Sequence, residues 1–303
     1  MNRMNEPARS LPHTNTKRFT NALAFSARTT GFLPRLIEKD YFCTLVLDHL
    51  LSGSENRLVF KGGTCLSKVH ASFYRLSEDL DFVIPMAVKA SPQMRSSAFT
   101  PVKAAIESLP DRYPAFRIEE LRGANRSRQY LAYLSYTSMY GQGEGKLKVE
   151  VGLREPLLDE PIRGAARTIL IDPGTMAAFF QPTDLPCMSL REAVAEKFRA
   201  ALTRREVAIR DFYDIGFVVR SLGFDHLDEE FLAMVRDKLA VPGNEPVDVS
   251  DSRFADLKPQ IAAQLKPVLR AGDFDAFDLE KAVDIVKTVA NAVGDLDASP
   301  GPG

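Results

Sequence analysis

The stretch Phe60 to Phe82, FKGGTCLSKVHASFYRLSEDLDF, constrains this chain more than any other. An apolar run ends in Gly62-Gly63-Thr64, a helix-compatible segment follows, and Asp79 and Asp81 then flank a single apolar residue. Side chains alternate along a strand, so the two aspartates face one way while Leu80 and Phe82 enter a core. Two carboxylates on one face repel each other and call for a cation, and oxygen ligands favour Mg²⁺ or Mn²⁺. Glycines let backbone N–H groups approach a phosphate, and the helix start after them adds a favourable dipole. Thr64 can donate a hydroxyl to a triphosphate, and Lys61, Ser67, Lys68 and Arg75 stand close enough in sequence to contact phosphate. One segment thus supplies both halves of a nucleoside-triphosphate site and points to phosphoryl or nucleotidyl chemistry. Read alone, each part has a plainer explanation: a solvated strand end, a structural strand-to-helix turn and, for Lys68, a surface lysine.

Two-metal phosphoryl transfer needs a third acid that can also take the proton of an attacking hydroxyl. Glu150, in KLKVEVGLRE, lies in an alternating strand and projects opposite to Val149 and Val151. An acid there requires a partner, and Lys148 or Arg154 offers a simple salt bridge. A second cluster lies in LREAVAEKFRAALTRREVAIRDFYDI, Leu190 to Ile215. Most of its charges read as a solvated helix face, and Arg210 and Asp214 have the spacing of an i,i+4 pair. Lys197 and Asp211 are the exceptions: a lysine compensates triphosphate charge, and the aspartate orients it.

The pattern along the chain is α/β first and helical later. Helices are expected over Thr16–Arg28, Ile37–Leu51, Thr64–Phe73 and Ser96–Ser108, and strands over Arg57–Phe60, Leu80–Ile84, Phe116–Leu121, Tyr130–Ser138, Lys146–Leu153 and Thr168–Ile171. The turn Gly141–Gly145 suggests a hairpin. The expected division is a flexible arm at 1–16, an α/β domain at 17–172, a helical domain at 187–292 that contributes to the site, and a disordered tail at 293–303. The glycine- and proline-bearing stretch from Asp172 to Pro186 forms the boundary. Arginines at 112, 117, 122, 126 and 128, with Tyr113, Tyr130, Tyr133 and Tyr140, make a region able to bind single-stranded nucleic acid or to serve as an ordinary charged sheet face.

A net charge of -1 argues against a generally basic nucleic-acid coat while leaving room for a local basic groove. The three cysteines form no CxxC pair and read as buried, reduced thiols of a cytoplasmic protein. The four histidines lack zinc-ligand spacing, so no structural zinc is expected. The N-terminal stretch has no apolar signal segment, and no run of 18 apolar residues suggests a membrane span.

These motifs together resemble the AbiEii/AbiGii-type nucleotidyltransferase toxins, which include the MenT-like toxins. EKDYFCTLVLDHL (Glu38 to Leu50) is similar to the family's leading helix, FKGGTCLSK…RLSEDLDF to its glycine turn and metal motif, and KVEVGLRE and the Leu190–Ile215 segment to its third acid and helical motif. The resemblance runs from about residue 38 to 216. It implies a mixed-sheet, polymerase-β-like nucleotidyltransferase core with a C-terminal helical domain. It implies the toxin of a toxin–antitoxin pair with an AbiEi-type antitoxin as partner, and a Mg²⁺-dependent transfer of nucleotides from an NTP to the tRNA 3′ end that blocks translation. Asp79 and Asp81 match the metal-binding acids, Glu150 the third acid, and Lys197 and Asp211 the downstream lysine and aspartate. Lys61, Gly62, Gly63, Thr64, Ser67 and Lys197 are the expected nucleotide contacts. The wider superfamily carries Gly-Ser close before its acids, whereas here 15 residues separate Gly63 from Asp79, so the serine's role falls to Thr64 or Ser67. The alternatives are a protein or small-molecule acceptor, or a non-catalytic nucleotide- or antitoxin-binding module.

Overall fold

Local chemistry sets the first elements. The computed structural model describes residues 11–51, 57–141 and 143–298. The Asn15 side chain accepts from the Arg18 N–H and Gly31, at φ +79°, ends the helix, so α1 spans Thr16–Thr30. Helix α2 (Pro34–Leu51) is buried over most of its length, including Glu38 and Asp40. Glu38 accepts from the Ser138 hydroxyl and from the Met139 and Tyr140 N–H groups, clamping the turn read above as a hairpin.

Next come β1 (Val59–Lys61), α3 (Gly62–Cys65), which continues through a wider turn at Leu66–His70, and β2 (Asp79–Val83). The predicted helix to Phe73 stops earlier, because Ser72 and Phe73 take left-handed φ angles of 47° and 59°. Helices α4 (Pro92–Glu107) and α5 (Leu109–Arg112) lead into β3 (Phe116–Ala124), β4 (Gln129–Thr137) and β5 (Glu144–Gly152). Then follow β6 (Ile162–Ala166), the small hairpin β7 (Ile171–Asp172) and β8 (Ala177–Ala178), and β9 (Thr183–Cys187).

Among the described residues the main sheet has seven strands in the order β3-β4-β5-β2-β1-β9-β6. It is mixed: β2 runs parallel to β5 and β1 parallel to β9, while the other pairs are antiparallel. Its apolar side packs on α1, α2 and α4. The stretch read as a boundary, Asp172 to Pro186, therefore contains β8 and most of β9, and β9 belongs to the sheet.

The helical half comprises α6 (Leu190–Thr203), α7 (Ile209–Ser221), α8 (Glu229–Leu239), the short α9 (Asp251–Ala255), α10 (Lys258–Gln260) and α11 (Ala271–Asp275), and α12 (Leu279–Ala298). Its core draws in Leu66, Ala71 and Tyr74 from the segment after the glycine turn, and Tyr74 stacks on Phe217 with ring centroids 4.2 Å apart. That segment thus joins the two halves. Helix α12 runs as far as Ala298, so the first residues of the tail expected from 293 are helical. The predicted arm at 1–16 is a 3₁₀ turn at Pro12–Thr14 with Pro12 and His13 buried, and its first ten residues lie outside the described ones. Among the described residues no helix is long and apolar enough to cross a membrane.

Candidate active site

The β2–β5 register builds the acidic centre. Asp81 lies opposite Glu150 and Asp79 opposite Lys148, so all four side chains leave the same face of two adjacent parallel strands. Lys148 Nζ stands 3.7 Å from Asp79 and 3.3 Å from Glu150. Gln129 Nε2 donates to Glu150 at 2.6 Å. Burial, with Glu150 and then Asp79 adding negative charge, pushes the Asp81 carboxyl up to about 6 against the pull of Lys61 and Lys148. Glu150 thus does pair with Lys148, whereas Arg154 turns to Glu155 at 3.1 Å. An all-oxygen set whose central acid resists ionisation fits a hard divalent cation, which would relieve the repulsion that Lys148 only partly offsets.

The glycine turn is shaped by its neighbours. Gly62 has φ +78°, and a Cβ there would lie 2.8 Å from Asp81 Cβ, inside van der Waals contact. A Cβ on Gly63 would lie 2.5 Å from Arg75 Nη2. The turn therefore keeps room for one metal-face carboxylate and one guanidinium. Thr64 and Ser67 are not in the cavity as predicted. Both are buried: the Thr64 hydroxyl donates to the Asp79 carbonyl and the Ser67 hydroxyl to the Arg75 carbonyl, so they secure the backbone that carries Asp79 and Arg75. Lys68, read as a surface lysine, is 2% exposed and pairs with Asp40 at 2.5 Å.

The opposite wall comes from α6 and α7. Lys197 Nζ lies 2.9 Å from Asp211 and 2.8 Å from Asp214. Arg204 also donates to Asp211, at 3.0 Å. Asp214 does not pair with Arg210. It is fully buried and accepts two bonds from Arg75, at 2.5 and 2.7 Å, and one from the Tyr74 hydroxyl at 2.5 Å. Burial alone would raise the Asp214 carboxyl, but Arg75 and Lys197 hold it far below the usual range. Lys197 is likewise raised against burial by Asp211 and Asp214. Sequence reading missed Asp214 as the hub. The available signal was its i,i+3 spacing from Asp211, which puts both on the α7 face that meets Lys197. Glu196 was missed as well. It pairs with Lys61 at 3.3 Å and Arg199 at 2.8 Å, linking β1 to α6 beside the acids.

These parts enclose a cavity of about 470 Å³ lined by Lys61, Gly62, Gly63, Asp79, Asp81, Glu150, Lys197, Asp211 and cationic side chains including Arg75, Arg199, Arg204 and Arg210. A second cavity of about 680 Å³ shares Lys61, Glu150, Arg199 and Arg204 with it and adds Arg126, Arg128 and Arg154. Arg126, Arg128 and Arg210 form no ion pair among the described residues. The remaining part of the predicted basic–aromatic region is dispersed: Arg117 pairs with Glu144, Arg122 with Glu120, Tyr113 is buried, and Tyr130 stacks on Phe99.

Three solved structures are similar along nearly the whole chain at low identity. JHP933 from Helicobacter pylori is 15% identical with a TM-score of 0.49, over 88% of this chain and 94% of that one. A putative nucleotidyltransferase from H. pylori is 16% identical with a TM-score of 0.43, over 95% and 96%. MenT4, a nucleotidyltransferase toxin from Mycobacterium tuberculosis H37Rv, is 20% identical with a TM-score of 0.36, over 95% and 99%. No curated protein matches the sequence. The family described as "Nucleotidyl transferase AbiEii toxin, Type IV TA system" matches residues 45–287, a span that holds the glycine turn, all three acids and the Lys197 cluster. The chain therefore belongs to the AbiEii nucleotidyltransferase toxins of type IV toxin–antitoxin systems.

Proposed function

We propose that this toxin is a Mg²⁺-dependent nucleotidyltransferase that moves a nucleoside monophosphate from an NTP onto the 3′ end of tRNA, and that Asp79, Asp81, Glu150, Lys197 and Asp211 carry the reaction. The observation that supports this reading is the junction of the two cavities. An acidic centre and a cationic wall face each other, and the space continues past Glu150 into a groove with unpaired Arg126 and Arg128. Phosphate contacts of that kind position a nucleic-acid backbone.

Asp79, Asp81 and Glu150 would hold Mg²⁺, which supplies charge neutralisation at the reacting phosphate. Lys61 and Lys197 face the triphosphate, and Gly62 and Gly63 let it approach the backbone. Asp211 and Asp214 fix the Lys197 ammonium. Glu150 lies at the groove side and takes the proton of the acceptor hydroxyl. The hydroxyl oxygen bonds to the α-phosphorus as the bond to the bridging oxygen of the β-phosphate breaks and pyrophosphate leaves. Catalysis here is positioning and charge stabilisation. The cognate antitoxin that the family implies is its regulatory partner.

The test is incubation of the protein with total tRNA, Mg²⁺ and each α-labelled NTP in turn. Label at the tRNA 3′ end is the expected result. Label in protein or in a small molecule, with none in RNA, would overturn the acceptor assignment while leaving the transfer chemistry intact.

A further inference from the structure

All three cysteines are buried, but only two of them meet a histidine. Cys65 follows the glycine turn on α3, His70 ends the same helical segment, and Cys187 ends β9. One ligand atom from each lies within 4.8 Å of those of the other two. Cys65 and Cys187 are fully buried, whereas His70 is half-buried and so leaves one open side. His70 Nε2 lies 3.0 Å from the Met188 carbonyl oxygen, which seats the ring at the β9–α6 junction. Gly164 on β6 leaves room for the thiol: a Cβ there would lie 2.6 Å from Cys187 Sγ and 2.5 Å from Val69 Cγ1.

We propose that Cys65, His70 and Cys187 form a binding site for a thiophilic divalent cation of the zinc class, separate from the oxygen-ligand centre at Asp79, Asp81 and Glu150. Two sulfurs and an imidazole nitrogen are the donor set such an ion selects, and hard Mg²⁺ is disfavoured there. Ligands at about 2.1–2.3 Å around a tetrahedral ion stand on the order of 3.5–3.8 Å apart. The three side chains therefore need to close by about 1.3 Å at most from the observed limit of 4.8 Å, and a water on the His70 side supplies the fourth ligand. Binding forms two metal–thiolate bonds and one metal–nitrogen bond, and any proton still on either thiol passes to solvent. The ion ties the start of α3 to the end of β9. It thereby fixes the glycine turn against Met188, which lines the reaction cavity, and against the start of α6, which carries Lys197. The spacing of histidines in the sequence gave no hint of this site, because Cys187 comes from a strand more than 100 residues away.

The test uses the full chain stripped with a chelator and titrated with Co²⁺ as a spectroscopic probe and then Zn²⁺. Expected are thiolate-to-cobalt charge-transfer bands that saturate at one ion per chain, disappear when Zn²⁺ displaces Co²⁺, and persist in Asp81→Ala and Cys43→Ser. Cys187→Ser should abolish them while its far-UV circular dichroism stays that of the parent. Zn²⁺ should also protect Cys65 and Cys187 in the unmodified chain from alkylation by iodoacetamide, a readout that needs no variant. Absence of charge-transfer bands, or alkylation unchanged by Zn²⁺, would overturn the proposal. Neither result bears on nucleotidyl transfer, which rests on other residues.

Discussion

Four donors from three residues converge on Asp214: the Tyr74 hydroxyl, Arg75 Nε and Nη2, and Lys197 Nζ. Removing such a charge leaves the Arg75 guanidinium buried without its anion and Lys197 with Asp211 alone. Asp214→Asn should therefore destabilise the protein by about 3–5 kcal/mol, measured by urea unfolding. A loss within the range of surface substitutions would show that the hub is not structural. Because its folded pKa is depressed, this stabilisation is complete above the unfolded carboxylate range near pH ~4 and is lost as the pH falls below it. Asp81 has the opposite sign. Its folded pKa is raised to about 6, so the metal-free fold gains from its protonation as the pH drops from neutral through 6, and a divalent cation competes with that proton. Thermal stabilisation by Mn²⁺ should accordingly shrink as the pH falls through about 6. A shift of equal size on either side of that value would contradict the assignment of Asp81 to the metal face. The acids were legible because alternation along a strand fixes which side chains share a face. Asp214 was not, because its partners Arg75 and Tyr74 lie some 140 residues away, and a charge with an i,i+4 neighbour reads as a surface pair.

At the scale of elements, the glycine turn is the piece that joins strand to site. Gly62→Ala combines a positive φ with a Cβ pressed against the Asp81 side chain, so the turn or the carboxylate must shift. The expected outcome is a stability loss of about 1–3 kcal/mol. Transfer should fall by about 100-fold or more, since displacement by an ångström at a reacting centre has that effect. Rates within a few-fold of the parent in a steady-state assay would show that the close approach is dispensable. The main helices and the β3–β5 meander were legible from periodicity and the Gly141–Gly145 turn. Strands β6 and β9 were not. Ile162-Arg-Gly-Ala-Ala offers little β-branched surface, and Thr183-Asp-Leu-Pro-Cys carries a proline that argues against a paired strand. Each acquires its place through the other, and β9 reaches β1 through the single registered pair Phe60–Cys187.

Over the whole molecule, a chain of net charge -1 gathers unpaired arginines at one cavity and acids at the next. The proposed acceptor path predicts that the double variant Arg126→Glu, Arg128→Glu weakens binding to tRNA across sequences. It should also lower the slope of log affinity against log salt by about two, one for each lost phosphate contact. An unchanged slope would place the RNA elsewhere. The two-part organisation was visible in the shift from alternating to helical periodicity. Its interleaving was hidden, because β9 returns to the sheet just before α6 begins and the segment after the glycine turn packs into the helical core. The central claim is that the carboxylates of β2 and β5 and the lysine of α6 form one nucleotidyl-transfer centre. The most direct measurement is release of pyrophosphate and incorporation of label from α-labelled NTP with tRNA and Mg²⁺, comparing the parent chain with Asp81→Asn and Lys197→Met at matched folded fractions. The account predicts that Asp81→Asn abolishes both signals and that Lys197→Met lowers both together. Transfer by Asp81→Asn at the parent's rate would contradict it.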